Sequence, residues 1–161
     1  WKARFPEAAA FAPPQSLQRV TKVSGVGGIR PLSEAAAFTG ERVALIELPY
    51  FRTGETLIKV RTAEGLIWYV TDIVLNLPQL PSHPVFGALF KLTGSAPGLR
   101  INRVAPLFMV RDRPALWAWL AAEARRDAPR WLVPAHGDTV DLADTPTRLE
   151  QLFAQTPRRS G

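Results

Sequence analysis

The chain has 161 residues, 47% hydrophobic and 21% charged, which is typical of a single globular domain with its own core. It contains no cysteine, which excludes disulfides and thiolate metal sites, and no apolar run approaches the roughly 18 residues of a membrane span. The net charge of +6 comes from scattered basic residues without a basic helix or an aromatic stacking surface, which argues against nucleic-acid binding.

Prolines and glycines divide the first third of the chain into short elements. We expect the last turn of a helix at Trp1–Phe5, a buried strand over Ala8–Ala12 and a short amphipathic helix over Gln15–Val23. Val43–Leu48 is mostly apolar and is flanked by a glycine and a proline, which predicts a strand.

Two β-rich runs follow, Thr56–Val60 and Leu66–Val70, and the polar segment Thr62–Gly65 separates them. β-branched and aromatic residues on both sides of a glycine-containing turn predict a β-hairpin. The second run is apolar on both faces, so we expect a strand buried inside a layered domain. Thr71 and Asp72 come directly after it, and a carboxylate there is costly unless it is paired, hydrogen-bonded or bound to a metal.

The sequence after residue 77 is predicted to be mostly helical. The clearest covers Arg113–Arg126, with Asp112 at the N-cap position and two arginines at the C-terminal end. Val85–Leu92 is apolar nearly all round, which predicts a buried helix. We also expect an irregular loop at Leu77–Pro84. Two further helices are expected, one at Asn102–Val110 and one at Pro146–Ala154.

A second strand also ends in a side chain that can bind a metal. Trp131–Val133 is a short apolar run, and the sequence P-A-H-G-D, which contains His136, follows it at once. Asp72 and His136 therefore both stand at the ends of predicted strands, and we expect them to converge at one edge of the sheet.

These segments resemble the metallo-β-lactamase-fold superfamily. The run V-T-D-I-V-L-N, the run L-V-P-A-H-G-D and their spacing are similar to its C-terminal half, and the opening W-K-A-R-F-P-E-A-A-A-F-A-P-P resembles a divergent branch. The resemblance implies an α/β fold with a layered αββα sandwich. The superfamily's H-x-H-x-D-H signature is absent, and Gly54-Glu55 stands where the family has Gly-His. We therefore expect a partial or degenerate form, with one domain over residues 1–156 and a basic tail over 157–161.

The resemblance implies a divalent metal, namely zinc, iron or manganese, held by Asp72 and His136 with Glu55 in place of a histidine. Asp138 would then be a hydrogen-bonding partner of the imidazole. The alternative is structural: Asp72 bonds turn amides, His136 packs over its loop, and no metal binds. The sequence identifies no catalytic nucleophile of its own.

Two functions follow as hypotheses. The first is a hydrolase-like protein with a depleted metal site, acting on an unknown small molecule. The second is a non-catalytic scaffold for binding or oligomerisation, with a second copy of the chain as a partner. The first residue is Trp rather than Met, so we expect the chain to be a piece of something longer. Whether an upstream segment supplies the missing ligands stays open. The lack of cysteine fits the cytoplasm, and abundant Arg, Ala and Pro suggest a GC-rich bacterial genome.

Overall fold

The computed structural model describes residues 3–154, which form a mixed α/β structure with several sheets. The helix end predicted at Trp1–Phe5 lies partly outside these residues, and the basic tail at 157–161 lies wholly outside them. No helix within the described range is long and apolar enough to cross a membrane.

Short strands and helices alternate along the described chain. The strands are β1 (Phe11–Ala12), β2 (Arg30–Pro31), β3 (Val43–Glu47), β4 (Thr56–Thr62), β5 (Gly65–Val70), β6 (Val74–Leu77), β7 (Gly98–Ile101), β8 (Trp131–Pro134) and β9 (Val140–Asp141). The helices are α1 (Leu17–Ser24), α2 (Ala36–Thr39), α3 (Pro84–Thr93), α4 (Ala105–Met109), α5 (Arg113–Asp127) and α6 (Arg148–Ala154), with a 3-10 turn at Leu32–Ala35.

The main sheet has five strands in the order β3-β4-β5-β8-β9. The first three strands form an antiparallel meander, and β9 is antiparallel to β8. The central pair is different, because β5 and β8 are parallel, with Val70 opposite Pro134. Parallel neighbours require a long crossover, which here contains α3, α4, α5 and the small antiparallel sheet of β6 and β7.

The hydrophobic core joins the main sheet to α5 and α6. Trp68 of β5 and Leu132 of β8 are fully buried, and Leu116 of α5 belongs to the same cluster. The rings of Trp117 in α5 and Phe153 in α6 stack at a centroid distance of 6.2 Å. Burying large apolar and aromatic side chains is the main source of stability in such a domain.

A buried ionic cluster crosses this core. The alternation of β4 places Lys59 on the inward face, where its Nζ lies 2.6 Å from Glu123 Oε2 and also contacts Asp127, both in α5. The indole Nε1 of Trp68 donates to Asp127 Oδ2 at 3.1 Å. Burial raises the pKa of Asp127, but hydrogen bonds from Lys59, Arg126 and Trp68 outweigh this effect and hold the pKa below its usual value.

Several sequence-based predictions are confirmed. The hairpin is present as β4 and β5, and the predicted strands at Val43–Leu48 and Trp131–Val133 correspond to β3 and β8. In α5, the Asp112 side chain accepts a hydrogen bond from the amide of Ala115 at 3.0 Å, as its N-cap position predicts.

Other predictions are wrong or incomplete. The predicted buried helix at Val85–Leu92 exists as α3 but has no buried residue, and Phe86 is 54% exposed. Its apolar composition indicates a tendency to be covered, but no described element packs over it. The short helix predicted over Gln15–Val23 is present as α1, although it has no buried residue, whereas the strand expected over Ala8–Ala12 is only two residues long. No clear sequence pattern predicted β6, β7 or β9.

Candidate functional site

Asp72 and His136 meet beyond the ends of the parallel strands β5 and β8. The amide of Ala135 donates to the carbonyl of Val70 at 2.8 Å, so the two backbone segments remain paired just beyond the ends of the strands. His136 Nε2 then lies 3.0 Å from Asp72 Oδ1. Their side chains are 57% and 43% exposed, so the pair opens to solvent. The predicted convergence of these two residues is confirmed.

The loop that carries His136 is tied to β6. The amide of Asn76 donates to the carbonyl of His136 at 3.1 Å, and the amide of Asp138 donates to the carbonyl of Asn76 at 2.9 Å. The Asn76 side chain also donates to the carbonyl of Asp138 at 2.8 Å. Between these contacts, Gly137 has a φ of 104°, and a Cβ there would lie 2.0 Å from the Asn76 carbonyl oxygen. Only glycine fits this close approach of two backbones.

Glu55 lies in the same region, immediately before β4. It is 8% exposed, and one carboxyl oxygen accepts a hydrogen bond from the amide of Thr56 at 2.8 Å. Burial raises the pKa of Glu55, and the nearby charge of Asp72 acts in the same direction, while the Thr71 hydroxyl and the Thr56 amide oppose the shift. The Thr71 hydroxyl is buried and reaches no partner at full hydrogen-bond geometry. A carboxyl whose proton is favoured by burial is a weak metal ligand.

Replacing Glu55 by glutamine is expected to raise the midpoint of thermal unfolding at neutral pH. Between the ordinary glutamate pKa of 4.5 and the raised pKa of Glu55 in the folded protein, the folded state keeps a proton that the unfolded chain has lost. The free energy of unfolding therefore falls as the pH rises through this window, and Glu55 destabilises the fold above it. The glutamine keeps an acceptor for Thr56 and removes the buried charge. Melting curves from about pH 3 to about pH 8 should show the difference between the proteins shrinking in acid. Glu64→Gln in the exposed hairpin turn is the control, and a Glu55→Gln protein less stable than wild type at neutral pH contradicts the expectation.

Asp138 contributes to the site through its backbone. Its side chain is exposed and makes no hydrogen bond or ion pair within residues 3–154, and the imidazole of His136 instead bonds Asp72. A role for the Asp138 carboxylate beside a metal-bound imidazole therefore stays a prediction.

The carboxylate of Asp72 and the imidazole of His136 are both chemical groups that bind divalent metals. Two tetrahedral zinc ligands, each about 2.1 Å from the metal, lie roughly 3.4 Å apart, so the Asp72–His136 pair needs little movement to share a cation. A closed or catalytic zinc site uses at least three protein ligands. Among the described residues, no group of three or more His, Cys, Asp or Glu side chains is placed to hold a metal ion. These residues alone therefore do not form a complete metal site.

Comparisons of the chain with protein-family models, with curated proteins and with solved structures found no match. The resemblance to the metallo-β-lactamase-fold superfamily therefore rests on the motifs described above.

Proposed function

We propose that the chain is a hydrolase-like protein of the metallo-β-lactamase type, with the layered αββα architecture in partial form. In this proposal Asp72 and His136 are two remaining ligands of a depleted divalent-metal site. The observation that supports it is their contact at 3.0 Å, although they are 64 positions apart in the chain. The two motifs on which the resemblance depends thus meet at one edge of the main sheet.

Without a metal, the pair has a definite chemistry of its own. A neutral imidazole that donates its Nε2 proton to Asp72 keeps Nδ1 as its hydrogen-bond acceptor, and the carboxylate orients the ring. Because the described residues supply only two ligands, we propose weak and displaceable cation binding and assign no hydrolytic step to it.

The test is equilibrium dialysis of chelator-treated protein against zinc, manganese or iron(II), followed by elemental analysis. We expect about one bound ion per chain, with Asp72→Ala and His136→Ala each weakening binding by about tenfold or more. Removing a residue that only supports a metal ligand typically weakens metal affinity by at least about tenfold, and removing the ligand itself should weaken it at least as much. His83→Ala is the matched control, since this histidine packs beside Phe86 and not beside Asp72. Circular dichroism would verify that each variant is folded.

Metal-free protein that stays folded in all variants overturns the proposal and favours the second candidate, a non-catalytic scaffold. Its specific support is the exposed apolar surface of α3 and α4, where Phe86, Leu92 and Phe108 are 54%, 85% and 75% exposed. Large exposed apolar side chains mark interaction surfaces where they are contiguous. Sedimentation of the same samples over a range of concentrations would show whether two copies associate.

A further inference from the structure

A cleft of about 350 Å³ opens beside α5, separate from the proposed metal site. Neither Asp72 nor His136 lines it. One part of its wall is apolar and comes from four helices: Leu92 lies in α3, Leu107 in α4, Trp117 in α5 and Leu152 in α6. Trp117 is only 4% exposed, so the apolar part of the wall continues into the core.

The remaining wall is strongly basic. Arg100 of β7, Arg103 of the β7–α4 turn and Arg113 at the start of α5 all line the cleft, and no acidic residue of the described chain does. Within residues 3–154 none of these three side chains forms an ion pair, whereas four other arginines do: Arg30, Arg125, Arg126 and Arg130. Three guanidinium groups around one cleft raise its positive potential, and each carries donors suited to carboxylate or phosphate oxygens.

The rim beside Arg103 is held in place by partly buried hydrogen bonds. Ser95 is fully buried, and its hydroxyl accepts from the amide of Arg103 at 3.0 Å while lying 2.8 Å from the hydroxyl of Thr93. The side chain of Asn102, next to Arg103, accepts from the amide of Val104 at 3.0 Å at the start of α4. These contacts hold the backbone that carries Arg103, so this part of the rim is ordered before any ligand arrives.

We propose that this cleft binds a small amphiphilic anion, that is, a carboxylate or phosphate group attached to a short apolar body. The three arginines receive the head group, and the leucines with Trp117 receive the apolar part. The cleft is at the lower end of the size range of ligand pockets, about 300–1,000 Å³, which suits a body of roughly eight carbons. This inference does not depend on the metal proposal, because the two sites share no residue.

Isothermal titration calorimetry with four probes tests the chemistry: octanoate, octyl phosphate, inorganic phosphate and octyltrimethylammonium. The three amphiphiles are used below their critical micelle concentrations. We expect octanoate and octyl phosphate to bind, inorganic phosphate to bind at least about tenfold more weakly for lack of an apolar body, and the cation not to bind. Binding of the cation as tight as that of octyl phosphate, or no binding of any probe, overturns the proposal.

Variants locate the binding. Arg103→Gln and Arg113→Gln should each weaken octyl phosphate by about tenfold, because each removes a charge-assisted hydrogen bond. Leu107→Gln should weaken octyl phosphate and leave inorganic phosphate unchanged. Arg111→Gln is the matched control, since Arg111 is exposed nearby and does not line the cleft. Equal affinities in all four variants contradict the assignment. Because the substituted residues are exposed, each variant should fold.

The phosphate group could also belong to a lipid, and a vesicle-binding experiment distinguishes a lipid from a soluble ligand. Phosphatidylglycerol vesicles are sedimented with the protein, with phosphatidylcholine vesicles as the control. Binding of free octyl phosphate without vesicle binding supports a soluble ligand, and binding of both supports a lipid head group in the same cleft. Binding of vesicles without octyl phosphate overturns the cleft proposal and assigns the charge to a membrane surface.

Discussion

Replacing Lys59 by alanine is expected to lower the free energy of unfolding by about 3–5 kcal/mol, because it leaves buried carboxylates without their counter-charge. Lys59 is 8% exposed and contacts both Glu123 and Asp127, whose side chains are each 11% exposed. Arg126 also reaches these carboxylates, but its side chain is 63% exposed and solvent screens its charge. The substitution also removes a cation–π contact, since the Lys59 Nζ lies 5.4 Å from the centroid of the Trp68 ring.

Chemical denaturation of the two proteins measures this difference. The matched control is Arg125→Ala, which breaks an exposed pair with Glu150 and should change stability little. The pH dependence gives a second check. Asp127 has a lowered pKa in the folded protein, so its contribution to stability is present above the ordinary aspartate value of 3.8 and is lost as the pH falls through the folded value. The gap between wild type and the Lys59 variant should therefore narrow in acid, and a loss below about 1 kcal/mol at neutral pH would falsify the assignment.

Replacing Gly137 by alanine is expected to cost about 3 kcal/mol or more and to separate His136 from Asp72. The added Cβ would lie 2.0 Å from the carbonyl oxygen of Asn76, which is backbone and cannot swing aside. Moving the loop breaks the three hydrogen bonds between Asn76 and the segment His136–Asp138, each contributing about 1 kcal/mol. The positive φ of Gly137 adds strain for any residue with a side chain.

The experiment combines denaturation with NMR of the imidazole. In the variant the His136 ring should lose the resonance shifts that depend on Asp72, and Asp72→Asn in the wild-type background gives the reference spectrum for that loss. Gly27→Ala is the control for glycine replacement, because an added Cβ there meets no atom within 4 Å. A Gly137→Ala protein with wild-type stability and an unchanged His136 spectrum contradicts the expectation.

The features that could be predicted from the sequence depend on local patterns. The hairpin of β4 and β5 needs only alternating β-formers around a short turn, and α5 begins at the capping side chain of Asp112. The meeting of Asp72 and His136 is nonlocal, and it was expected from the family resemblance and from the position of each residue after a predicted strand. The parallel pairing of those two strands, which brings the residues to the same edge, did not follow from the sequence.

The features that could not be predicted depend on contacts between distant residues. Lys59 and Glu123 are 64 positions apart, and neither is marked by periodicity as a buried ion-pair partner. Likewise Arg100, Arg103 and Arg113 look like ordinary surface arginines until β7, α4 and α5 bring them around one cleft. The apolar composition of α3 predicted a buried helix, but α3 has no buried residue. An apolar pattern shows that a helix can be buried, and it does not show whether another element of the chain packs against that helix.

The parallel pairing of β5 with β8 also shapes how the molecule assembles. The meander of β3, β4 and β5 joins strands that are close in sequence, so little chain entropy is lost when it forms. β8 can take its place only after the whole segment from Thr71 to Arg130 has closed into a loop, and such nonlocal pairings slow folding. Among the strand pairings of the main sheet, the one that brings Asp72 to His136 therefore closes the longest loop.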